Sequence, residues 1–138
     1  MHWFSDLLQM AMSPSKTVRL RILIAEDYGD LATVTSLLLG HYGFEVKEVL
    51  NGALVYPTAL TFRPHFILMD IRLPGLDGFK AAELIREDPD LKSVVIIGIS
   101  AYAPYMHPDA ARKAGFDYYF SKPVDFADLL PILAKRLN

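Results

Sequence analysis

Residues 65–78 read HFILMDIRLPGLDG, and this stretch decides the fold. An apolar run, Phe66 to Met69, stops at Asp70, and the turn residues Pro74, Gly75 and Gly78 follow at once. A short unbroken apolar run bounded by turn signals is the pattern of a strand buried on both faces, as inside a parallel sheet. Open parallel sheets carry their functional groups just beyond the carboxyl ends of the strands. Asp70 therefore stands where a reactive carboxylate is expected, not where a surface charge usually falls. Three other runs end in the same way: Leu20–Ala25 in Glu26-Asp27, Val94–Ile99 in Ser100, and Tyr118–Phe120 shortly before Lys122. Three acids, a hydroxyl and an ammonium are thereby brought to one edge.

Outward from this core, strand and helix patterns alternate with short connections. Asp30 to Tyr42 reads as a helix, with Asp30 as candidate N-cap, Leu31, Val34, Leu37 and Leu38 at helical spacing, and Gly43 as its stop. Phe44 to Val49 alternates like a strand, and Asn51-Gly52 turns into a short helix that ends before Pro64. Asp77 can cap a helix carrying Phe79, Ala82, Leu84 and Ile85, closed before Pro89. Val94–Ile99 and Phe116–Phe120 supply the last two strands, and Asp125 caps the final helix. Between them, Pro104 and Pro108 forbid an ordinary helix interior. Irregular chain is expected to about His107, then a short helix opened by Pro108. Five strands and five helices in strict alternation demand an α/β fold, a parallel sheet with helices on both faces.

At 138 residues the chain has the length of one domain, long enough to bury a core without staples. It has no cysteine, which excludes disulfides and thiolate zinc sites, and its four histidines (His2, His41, His65, His107) lack ligand spacing. A formal net charge of −2 gives no electrostatic argument for nucleic acid. No apolar run approaches the ~20 residues that span a bilayer. The first residues lack a basic n-region and carry Asp6, a poor signal peptide, so a cytoplasmic location is expected.

Glu26, Asp27 and Asp70 at neighbouring strand ends would repel strongly. Two carboxylates ~4–5 Å apart do so by roughly 3–4 kcal/mol at an effective dielectric near 20. Three require a proton or a cation, and an oxygen-only ligand set suits magnesium together with phosphate oxygens. Lys122 is the compact point charge for a second phosphate oxygen, and the Ser100 hydroxyl is placed to bond a third. Asp70 is then the nucleophile, giving an acyl phosphate. Catalysis in such a site is mostly positioning and charge neutralisation.

With these motifs in order, residues 18–137 resemble the receiver domain of two-component response regulators. The matching positions are Glu26-Asp27, Asp70, the Pro74-Gly75 and Asp77-Gly78 turn, Ser100-Ala101, and Lys122-Pro123. The resemblance implies a flavodoxin-like (βα)5 fold with strand order 2-1-3-4-5. It implies magnesium held by Glu26, Asp27, Asp70 and the backbone carbonyl of Arg72, and a cis Lys122–Pro123 bond. It also implies a switch pair, Ser100 and Tyr119, acting on the face of helix four, strand five and helix five. The phosphoryl donor would be a sensor histidine kinase or a histidine phosphotransfer protein, and the output an unknown protein target. Such a domain is a phosphoacceptor signalling unit, not an enzyme, though it speeds its own phosphorylation and dephosphorylation. Arg72 and Tyr102 lie beside the expected path of the attacking water and are expected to tune phosphoryl loss.

Residues 1–17 are an N-terminal extension to that pattern, with the spacing of a short amphipathic helix. Trp3, Phe4, Leu7, Leu8 and Ala11 share one helical stripe, which suits docking on the domain or a dimer as well as a frayed tail. Monomer or weak dimer, without membrane or direct nucleic-acid contact, is the expectation for the chain as a stand-alone regulator. Pro108 should shorten helix four and alter the face there. Tyr102, Tyr105 and Met106 form an apolar cluster that is either a docking patch or cover for that helix. Two other functions fit the motif set less well. An aspartyl-nucleophile phosphatase would want an acid two residues after Asp70, where Arg72 stands. A pseudo-receiver, an interaction module that is never phosphorylated, usually lacks the acidic pair, the acceptor or the lysine, and all are present here.

Overall fold

The computed structural model describes residues 19–101 and 108–137. Its strands are β1 (Arg21–Ala25), β2 (Glu45–Val49), β3 (Phe66–Asp70), β4 (Val95–Ser100) and β5 (Tyr118–Ser121). Its α-helices are α1 (Gly29–His41), α2 (Val55–Phe62), α3 (Gly78–Glu87), α4 (Pro108–Ala114) and α5 (Phe126–Ala134). All four strand pairings are parallel, in the order β2-β1-β3-β4-β5. This is the doubly wound, flavodoxin-like sheet that the alternation of apolar runs demands.

Alternation along each strand sends side chains to two separate cores. Ile22, Ile24, Phe66, Leu68, Ile97 and Ile99 face α1 and α5, with Ala32, Leu39 and Leu129 from the helices. Leu23, Ala25, Ile67, Met69 and Ile96 face α2, α3 and α4, with Ala59, Ile85 and Ala111. β3 is buried at every position, as its unbroken apolar run implies. No helix among the described residues is long and apolar enough to cross a membrane.

Two features of α1 differ from the sequence reading. The helix starts at Gly29, with Tyr28 at the N-cap and no side chain capping it, so Asp30 lies in the first turn instead. There its carboxylate still favours the positive end of the helix dipole. The residues buried against the sheet are Ala32 and Leu39, whereas Leu31, Val34, Leu37 and Leu38 are exposed. A small side chain at Ala32 lets the helix approach the strands closely, and its larger neighbours are turned aside from the contact. The other caps match the reading: Asp77 accepts from the Lys80 N–H and Asp125 from that of Ala127. Gly43 follows α1 at φ 95°, a conformation open to glycine. The α4 helix does open with Pro108 and has 7 residues. The chain before it, with Tyr102, Tyr105, Met106 and His107, lies outside the described residues, as do residues 1–18.

At the opposite end of the sheet from the strand tips, Arg21 ties β1 to the end of α2. Its Nε donates to the carbonyls of Phe62 and Arg63 at 2.9 and 2.8 Å, and its backbone N–H donates to His65 Nδ1 at 3.0 Å. An accepting Nδ1 is unprotonated. Burial first, then the Arg21 and Arg136 charges, hold the His65 pKa below its ordinary value of 6.5. Folding therefore favours neutral His65. Its contribution is complete above the unfolded value of about 6.5 and is lost as pH falls through the lower folded value. The urea midpoint is expected to drop between about pH 7.5 and about pH 5.5, and to drop less in His65→Gln. Equal drops in both proteins would remove His65 from the account.

Candidate functional site

The carboxyl ends of the strands come level because the register aligns them. Ala25 pairs with Met69, Asp70 with Ile99, and Ser100 with Ser121. Backbone bonds then carry the sheet one step further: Ile71 N–H to Ile99 O, Glu26 N–H to Val49 O, and Lys122 N–H to Ser100 O. Each side chain at the edge is thus fixed by a strand that is itself held in place. Glu26, Asp70 and Ser100 are the buried polar residues of the described chain.

Lys122 closes the cluster. Its Nζ donates to Asp70 Oδ2 at 2.6 Å and to Glu26 Oε1 at 2.8 Å. The second oxygen of each carboxylate is held by backbone: Asp70 Oδ1 accepts from Arg72 N–H at 3.0 Å, and Glu26 Oε2 from Tyr28 N–H at 3.3 Å. Asp27, exposed, completes the group, with one oxygen of each of the three acids within 4.8 Å of the others. Burial raises the Glu26 pKa; Lys122 pulls against that shift, and Asp70 and Asp27 add to it. For Lys122, burial acts downward, but the hydrogen bonds and charges of Asp70 and Glu26 prevail and raise the pKa. The ammonium is therefore held charged, and the site carries more negative than positive charge.

Three converging carboxylates, one of them reluctant to ionise, form an oxygen-only set that fits a magnesium site. Among the described residues, no histidine or cysteine joins that cluster. Of the remaining sequence candidates, Ser100 is buried at the end of β4. Arg72 is exposed two residues beyond Asp70. Tyr119 lies half-buried on β5, packed against the core on the α2–α4 side. The Lys122–Pro123 peptide is cis. Tyr102 falls outside the described residues.

One supporting contact was not legible in the sequence. Gly52 N–H donates to Pro74 O at 2.9 Å, which locks the β2–α2 connection onto the segment that follows Asp70. The Asn51-Gly52 pair reads only as a turn, because its partner lies a whole strand and helix away.

The family model of the response regulator receiver domain matches residues 22–134. The polar-differentiation response regulator DivK of Brucella anthropi is 29% identical over 117 residues, covering 85% of this chain and 95% of DivK. An uncharacterized 76.5 kDa protein of Thiocystis violacea is 34% identical over 123 residues, or 89% of this chain. The chain spans only 18% of that relative and 52% of the mycobacterial DNA-binding response regulator MtrA. Among solved structures, the receiver domain of a Pseudomonas aeruginosa sensor histidine kinase superposes with TM-score 0.78 at 33% identity. The match covers 87% of this chain and 98% of that one, whose crystal structure has a magnesium ion coordinated in its active-site cleft. A CheY-like receiver from Methanospirillum hungatei gives TM-score 0.79 at 26% identity, covering 87% and 94%.

Proposed function

The chain belongs to the response regulator receiver domain family of two-component signalling, and from that premise we propose that it accepts a phosphoryl group on Asp70. The donor is a phosphohistidine of a sensor histidine kinase or histidine phosphotransfer protein. The observation that supports this most is Lys122 Nζ, held between Asp70 and Glu26 among three carboxylates. Such a concentration of negative charge is costly unless cations are held there, and an ammonium together with a divalent ion is the counter-charge that an incoming phosphoryl group needs.

In the transfer, a carboxylate oxygen of Asp70 forms the new bond to phosphorus. The phosphorus–nitrogen bond breaks, and its electron pair stays with the donor imidazole. Arg72 N–H steadies Asp70 Oδ1. Lys122, already on Oδ2, pairs with a phosphoryl oxygen as charge builds there, and the Ser100 hydroxyl bonds another. Glu26, Asp27, Asp70 and the Arg72 carbonyl would hold magnesium, which when bound supplies charge neutralisation and a template for the phosphate oxygens. Arg72 and Tyr102 set the rate at which water removes the group.

The acyl phosphate adds about −1.5 to −2 charges at the strand end. Ser100 moves toward it and Tyr119 turns into the space behind, which alters the face of α4, β5 and α5 that meets the target. The shift is as large as the phosphoryl group's preference for one state over the other.

Intact mass after incubation with acetyl phosphate and magnesium tests the reading. One phosphoryl group is expected on the wild type and none on Asp70→Asn. A wild type that binds magnesium yet gains no mass would make the chain an interaction module that signals by contact alone.

A further inference from the structure

The side chains that α1 turns away from the sheet line a groove. Leu31, Val34 and Leu38, exposed by 41, 54 and 45%, form one wall. Pro123, Val124 and Phe126, ahead of and at the start of α5, form the other. Ile24, Leu68 and Ile99 are its floor, where the sheet shows between the two helices. Phe126 is fixed by stacking on Tyr42, just beyond α1, with ring centroids 5.7 Å apart. The groove encloses about 480 Å³, the size of a small-molecule site.

Its polar groups are confined to one end. Among the described lining residues, Thr35 carries the one hydroxyl, and it donates to the Leu31 carbonyl at 2.9 Å. The walls therefore give a ligand no side-chain donor in mid-groove. Glu26, Asp70 and Lys122 stand together where the groove meets the strand ends. Lys122 Nζ is already committed there, 2.8 Å from Glu26 and 2.6 Å from Asp70, and Asp27 adds a third acid close by. An apolar trough that runs into an excess of carboxylate selects a ligand with an apolar body and one cationic tip. An anionic tip would meet two carboxylates and a lysine bonded to both.

We propose that this groove binds an amphipathic amine, its alkyl or aryl body between α1 and α5 and its ammonium against Glu26 and Asp70. The ammonium and a magnesium ion then compete for the same carboxylate oxygens. Such a ligand holds off the metal, and with it the labelling of Asp70, without a change of fold. Binding itself does not rest on the phosphoacceptor reading.

The probe is phenylbutylamine, set against the near-isosteric phenylbutanol and phenylbutanoate in calorimetric titrations of the full chain. The amine is expected to bind about tenfold more tightly than the alcohol, the worth of a hydrogen bond to a charged group, and the acid more weakly than either. Saturating magnesium is expected to weaken the amine about tenfold and to leave the alcohol unchanged. Val34→Gln/Leu38→Gln makes one wall polar without adding charge. It should weaken the amine about tenfold while magnesium affinity and circular dichroism stay as in the wild type. Leu60→Gln, exposed on α2 at the other face of the sheet, should change nothing. Equal affinity for the three probes, or tightest binding of the acid, overturns the proposal. So does an amine affinity that ignores magnesium, or no binding of any probe. These outcomes are read on the wild type, so a double variant that fails to fold leaves the test complete. Acetyl phosphate labelling is then measured with and without the amine. Absent labelling without amine sinks the phosphoacceptor reading and leaves the calorimetry standing; normal labelling with no amine binding sinks the groove alone.

Discussion

Lys122→Ala is expected to slow labelling of Asp70 by acetyl phosphate about 10²–10³-fold, the usual cost of removing one preorganised charge stabiliser. Lys122 Nζ is the cation already within 2.6 Å of Asp70 and 2.8 Å of Glu26. Removing it leaves three carboxylates without that counter-charge. Magnesium should therefore bind more tightly to the variant while phosphorylation fails. Those opposite signs separate a chemical role from a structural one, since mere loss of fold would weaken both. Lys122→Arg keeps the charge but replaces a compact ammonium with a planar fork, so only partial rescue is expected. A rapid-quench time course and a magnesium titration decide the matter. Labelling of Lys122→Ala at the wild-type rate would refute the role.

Gly52→Ala should cost about 3 kcal/mol of stability, at the upper end of what overpacking does. A methyl group on Gly52 would overlap the carbonyl oxygen of Leu76 and lie 2.6 Å from its carbonyl carbon. Both are backbone atoms, so no side chain can swing aside. The 74–78 segment must move, and with it the Gly52 N–H to Pro74 O bond is lost. That segment runs straight from Asp70 to the cap of α3, where Gly78 N–H returns to Ile71 O at 2.8 Å. Slower labelling of Asp70 is expected as well, because the strand end loses its support. Urea denaturation measures the first effect and intact mass the second. A midpoint equal to the wild type would show that the two connections do not restrain each other.

The contrast between these two positions explains how far the sequence could be read. Strand ends were legible because a strand buried on both faces must be an apolar run, and the residue ending the run must sit at the sheet edge. Asp70, Glu26, Asp27, Ser100 and Lys122 could therefore be gathered without coordinates. The orientation of α1 could not. Its large apolar residues have helical spacing, yet Ala32 and Leu39 occupy the contact and the others border a groove. Periodicity counts apolar residues on an arc wider than the part that touches the sheet. Long-range restraints were equally hidden. Arg86 donates to the carbonyls of Gly115, Lys92 and Val94 and pairs with Asp117 at 2.6 Å, tying α3 to the chain ahead of β4 and to the connection between α4 and β5. Nothing near residue 86 announces those partners.

The bridge from Lys122 to Glu26 joins residues 96 positions apart. Synthesis proceeds from the N-terminus at roughly 5–20 residues per second, so Glu26 waits on the order of 5–20 s for its lysine, and Asp70, 52 positions away, about half as long. In the later part of that interval a growing chain holds Glu26, Asp27 and Asp70 but cannot complete the cluster, and β5 has yet to join the sheet. Until Lys122 arrives, the cluster lacks the ammonium that bridges Asp70 and Glu26. The carboxylates gathered first must therefore be neutralised by protons or solvent cations until β5 joins the sheet.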